Sequence, residues 1–144
     1  MLTGCARRKP VGRLTVAPKE TVVAVGACAP LRFEWRPDAP LDRVHGRVVA
    51  FVHLLAEPGN PDGNLDHALP EPWTPNRNQT YEKRVCPSAF QPPLQPGTYR
   101  LTAGLYDESW GYRWPLEAGE NTQVDRREYL MGSVVVISET AAKP

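Results

Sequence analysis

Long hydrophobic runs are scarce in this 144-residue chain. The most apolar stretch, Val48 to Leu55, falls well short of the roughly 20 residues a helix needs to cross a bilayer, so no membrane-spanning helix is expected. Charge of one sign is scarce too: 17 Lys and Arg stand against 16 Asp and Glu, a net charge of +1. A nucleic-acid surface needs a clustered cationic excess to displace counterions from phosphates. The densest basic cluster is the short Arg7-Arg8-Lys9, so nucleic acid is not expected as a partner. Cysteine is limited to Cys5, Cys28 and Cys86, none paired at the close spacing of a structural zinc site. With no nucleophile motif and no cofactor fingerprint, no catalytic residue, metal or cofactor is assigned.

What the chain has in quantity is proline and glycine, 16 and 11 residues spread between apolar runs. Proline interrupts helices and both residues build turns, so the pattern fits short strands rather than long helices. The hydrophobic fraction of 41% and charged fraction of 23% are those of a globular domain, and the length suits one such domain.

Period-two alternation then picks out the strands. A first short strand is expected near Leu14-Thr15-Val16, and another at Thr21 to Val25. Leu31, Phe33 and Trp35 alternate with Arg32, Glu34 and Arg36, the mark of a half-buried strand. Arg47 to Ala56 is apolar on both faces, as a covered central strand would be. Thr80 to Cys86 alternates again, and Tyr99, Leu101, Ala103 and Leu105 share one face of the strand opened by Gly97. Tyr112 to Leu116 and Met131 to Ile137 complete a set of about seven short antiparallel strands, which predicts an all-β, immunoglobulin-like sandwich.

Leu2-Thr3-Gly4-Cys5 resembles the lipobox of bacterial lipoproteins, where small residues precede a cysteine that becomes lipidated. Only Met1 stands upstream, so the expectation is a truncated lipobox. The resemblance implies an exported protein, periplasm-facing or on the cell surface, touching the membrane only through a lipid on Cys5. It leaves Cys28 and Cys86 as an even pair, which suits an oxidising compartment. Residues 1–19 are then the lipobox and tether, 20–138 the sandwich, and 139–144 a C-terminal tail.

Across about residues 28–137 the chain resembles a recurrent bacterial β-sandwich module. The resemblance is carried by Phe51-Val52-His53-Leu54-Leu55, Asp66, Trp73-Thr74-Pro75, Gly97 to Leu101, Gly104-Leu105-Tyr106-Asp107 and Gly111 to Leu116. That module occurs as an accessory domain of membrane glycosyltransferase-like proteins and as a small exported protein. The resemblance implies the fold and an association with glycans. Cys28, Cys86 and the long segment from Gly59 to Trp73 depart from it. In an immunoglobulin-type layout the second and fifth strands are antiparallel neighbours. Cys28 opens the first of these and Cys86 closes the other, so a bridge is expected at the sandwich end or outer face. Two free thiols are the alternative.

Three constellations bear on function. His53 with Asp66 and His67 would come together across a hairpin tipped by Asp62-Gly63, orienting an imidazole for base or metal chemistry; the plainer assignment is a histidine satisfied by a carboxylate. Asn60 to Asp66, with Glu71, spaces oxygens as a calcium loop does, but Leu65 stands where that loop needs glycine, and any turn uses the same residues. Trp73, Trp110, Tyr112 and Trp114 offer flat rings for a sugar or protein partner, although Tyr112 and Trp114 share parity with Leu116 and fit a core equally well. Asp107 with Glu108, and Glu117 with Glu120, are carboxylate pairs with no cleft to serve glycoside hydrolysis. The expectation is a non-catalytic cell-envelope binding or structural module acting on a glycan or envelope protein. The alternatives are an accessory subunit bracing a larger envelope complex, and a small metal-dependent hydrolase.

Overall fold

The computed structural model describes residues 9–117 and 123–138, and these form an all-β sandwich of two packed sheets. The first sheet has the order β1 (Gly12–Ala17), β3 (Ala29–Pro37), β7 (Gln79–Val85), all antiparallel. The second runs β10 (Gln123–Asp125), β11 (Glu128–Ile137), β8 (Gly97–Asp107), β4 (Val48–Leu55), β5 (Gly63–Asn64). β2 (Glu20–Ala24) joins it in parallel with β11, while β6 (His67–Ala68) pairs with β4 and β9 (Arg113–Trp114) with β8.

Alternation decides which side chains meet between the sheets. Leu31, Phe33 and Trp35 are fully buried, and opposite them lie Ala50, Val52 and Leu54 of β4 with Tyr99, Leu101, Ala103 and Leu105 of β8. Among described residues β4 is covered on its outer face as well, since Phe51 lies beneath the Arg113 guanidinium, 4.5 Å from its ring centre. This explains why β4 reads as apolar throughout.

One boundary differs from the sequence reading. Residues 12–17 belong to the sandwich rather than to a tether, because Leu14 and Val16 are buried and β1 pairs along its length with β3. The chain then crosses from one sheet to the other between β1 and β2. The long connections also add the two- and three-residue segments β5, β6 and β10, and the strand expected at Tyr112 to Leu116 is present as the two-residue β9. Cys28 and Cys86 are joined, with Cα atoms 4.2 Å apart, beside the Ala29–Val85 pair that ends the β3–β7 ladder. The bridge thus ties two strands of one sheet at the sandwich end. Cys5 lies outside the described residues.

Candidate functional site

One end of the sandwich is built from the 38–47 loop, between β3 and β4, and the 108–112 turn after β8. Asp107, fully buried, locks the two together. Its carboxylate accepts the His45 N–H at 2.6 Å and the Ser109 N–H at 2.9 Å. Burial acts to raise the Asp107 pKa, but these backbone donors and the nearby His45 outweigh it and hold the carboxyl below its ordinary value. The Gly111 N–H closes the turn on the Asp107 carbonyl at 2.7 Å, and its φ of 71° suits glycine. The loops approach so closely at Gly46 that a Cβ there would sit 2.0 Å from Ser109 Oγ. Glu108 N–H donates to the Arg47 carbonyl, and the Arg47 guanidinium pairs with the Glu108 carboxylate at 2.8 Å.

This lock presents Trp110. Its indole is 72% exposed and lies stacked on the His45 ring, centroids 3.7 Å apart and planes 10° from parallel. The 38–47 loop also helps line a groove of about 530 Å³, whose walls include Pro40, Leu41, Val44, Leu69, Pro70 and Trp73, with Arg47 and Glu71 its charged residues. The two interlocked loops therefore carry an exposed aromatic plate on one and part of an apolar groove on the other.

The other aromatics singled out in the sequence take different places. Trp114 is fully buried, and its Nε1–H donates to the Asp42 carbonyl at 2.8 Å, so it is a core residue and no ligand platform. Tyr112 is half-buried, edge-on to Trp114 and flanked by the Arg43 and Arg127 guanidinium groups. Trp73 is half-buried with its edge on Trp35 and its N–H on the Ala39 carbonyl, and it contributes a wall to the groove. Only Trp110 of the four stands out into solvent. His45 and the groove were not legible, because both depend on loops meeting across the fold.

His53, Asp66 and His67 do not converge. His53 Nε2 lies 3.6 Å from Asp66 Oδ1, but its Nδ1 faces Glu128 Oε2 at 3.3 Å, a partner missing from the sequence reading. Thr102 Oγ1–H also donates to Glu128 at 2.6 Å. Asp66 is engaged elsewhere as well, accepting the Val52 N–H at 2.7 Å. Beside this cluster is a cleft of about 270 Å³ lined by Phe51, His53, Asp66, Tyr106, Gly111 and Arg113. The Thr102 hydroxyl is fully buried and already bonded, so it is not placed as a nucleophile. The arrangement clamps β4 to β11.

His67 faces the other way. Its Nδ1 is 2.8 Å from the Leu65 carbonyl, which can only accept, so Nδ1 carries the proton and Nε2 accepts from the Tyr81 hydroxyl at 2.6 Å. Tyr81 in turn accepts the Trp35 indole N–H at 2.9 Å. Burial pushes the Tyr81 phenol up to about 12, and burial first, with Lys83 adding, draws His67 below 6.5. The oxygens of the proposed calcium loop are spent on backbone: Asp62 accepts the Ala56 N–H, and Asn64 the Asp66 N–H. Among the described residues no three His, Cys, Asp or Glu side chains are grouped to hold a metal ion. Of the carboxylate pairs, Glu108 is tied to Arg47 and Glu117 to Arg13, while Glu120 lies outside the described residues.

No family model matches this chain, and no curated protein does.

Proposed function

We infer that the protein is a non-catalytic cell-envelope module that engages a glycan or protein partner through the 38–47 and 108–112 loop end. The observation carrying this reading is Trp110, held 72% exposed by a turn that hydrogen bonds to the buried Asp107 carboxylate lock in place. A large aromatic normally gains free energy by burial, and stacking it on His45 removes the freedom that binding would otherwise have to freeze. The Cys28–Cys86 bridge supports an oxidising, exported setting. The lipobox-like Leu2 to Cys5 supports tethering to a membrane. The two imidazoles that could have served catalysis are instead tied up in separate structural contacts.

Trp110→Ala is expected to leave folding unchanged and to weaken partner binding by roughly tenfold or more, as the loss of a central aromatic contact does. Titration with soluble fragments of envelope glycan should shift the tryptophan emission of the native chain and not that of the variant. Co-purification of an envelope protein equally well with either chain would instead favour an accessory subunit that does not use this surface. Stoichiometric metal retained after dialysis, with hydrolytic activity, would overturn the non-catalytic reading.

A further inference from the structure

The polypeptide enters the sandwich at the same end that presents Trp110. The Val11 N–H donates to the Pro115 carbonyl, and the Val11 carbonyl accepts from the Asp38 and Ala39 N–H groups at the root of the 38–47 loop. Gly12, next along, pairs with Pro37 and packs so tightly on Trp73 that a Cβ would lie 2.8 Å from its ring. Val11 therefore lies at the candidate binding end. Val11 is six positions beyond Cys5, and six steps of extended chain span at most about 21 Å. The far end of the sandwich, with the Cys28–Cys86 bridge, lies a strand length away. β8 covers that distance in 11 residues, about 35 Å at 3.3 Å each.

We propose that this end faces the membrane, and that Trp110 seats in the headgroup–acyl boundary of an anionic bilayer. The proposal rests on the tethered-envelope reading for its address, and it names the surface that the loop end meets. Indole suits that boundary, having a large apolar body and one N–H to give to a headgroup. Val44, 46% exposed, is a second large apolar side chain at this end, on the 38–47 loop. Arg47 and Arg43 are ion-paired with Glu108 and Asp42, so they add little attraction. The cationic pull comes from Arg7, Arg8 and Lys9 between Cys5 and the entry point, acting on anionic headgroups over a Debye length. A face built this way would hold the apolar groove against the bilayer surface, where it would meet membrane-borne molecules.

The test uses the purified, unlipidated chain with phosphatidylcholine vesicles, with and without phosphatidylglycerol. Trp35 and Trp114 are fully buried and Trp73 is half-buried, so vesicle-dependent changes in emission report chiefly on Trp110. The proposal expects a blue shift and protection from acrylamide with the anionic vesicles, weaker at high salt. It expects a roughly tenfold loss of partitioning in Trp110→Ala, in line with removing one large interfacial side chain. Unchanged acrylamide quenching in the presence of vesicles, or equal partitioning of Trp110→Ala, would overturn it. Saturable binding of a soluble glycan with no vesicle response would also overturn it, while leaving the partner reading intact. Vesicle binding with no saturable soluble ligand would support it and count against that reading.

Discussion

Reducing the Cys28–Cys86 bridge is expected to lower the unfolding free energy by about 4 kcal/mol, from loop-closure entropy over a sequence separation of 58 residues. That is a large share of the 5–15 kcal/mol typical of a domain. The location adds to the effect. Among the described residues β7 is held in its sheet by β3 alone, and the bridge fastens the terminal Ala29–Val85 pair of that ladder. Urea unfolding of the native chain and of Cys28→Ala/Cys86→Ala should show midpoints well apart, with the variant still folding to the same near-UV spectrum. Coincident midpoints with and without reductant would mean that the two cysteines are not bridged in the folded protein.

Tyr81→Phe is expected to cost on the order of 2–3 kcal/mol, because it strands one buried and one partly buried polar group at once. The Trp35 N–H loses its acceptor and His67 Nε2 loses its donor. The same network makes stability depend on pH. His67 has a pKa below 6.5 when folded, chiefly through burial, so the unfolded chain takes up its proton first. Its contribution is complete above 6.5 and is lost as pH falls through the lower folded value. A protonated Nε2 would present a donor to a hydroxyl that already accepts from Trp35. His67→Gln should therefore flatten the stability profile just below neutrality. The Asp107 lock, also depressed when folded, should fail only in the more acid carboxylate range. Urea midpoints followed across pH would separate the two, and an unaltered profile in His67→Gln would refute the assignment.

The fold was legible wherever burial follows a strict two-residue period. Leu31, Phe33 and Trp35, and likewise Tyr99 to Leu105, declare both their strands and their inward faces. The strand expected at Leu14 to Val16 is present as β1, but its membership of the sandwich comes from pairing with β3, which the local sequence does not show. The same period explains the failed histidine cluster. Asp66 and His67 are consecutive, so extended backbone turns them to opposite faces, one toward His53 and the other toward Tyr81. Glu128 reaches His53 from 75 residues away, and His45 reaches Trp110 across two loops. Such contacts leave no local pattern to read. Trp110 could be read because a turn tip offers a large ring nowhere to bury itself, whereas Trp114 and Leu116 shared the parity of core positions.

Site-specific photo-crosslinking in intact cells tests the central claim most directly. Four large hydrophobic residues are exposed among those described: Val22, Val44, Trp110 and Val124. A photoreactive side chain at each in turn samples the 38–47 and 108–112 loops, β2 and β10 under one set of conditions. Adducts, to lipid, glycan or protein, are expected at positions 44 and 110 and not at 22 and 124. Adducts confined to 22 or 124, or none at any position, would contradict the assignment of the loop end as the functional surface.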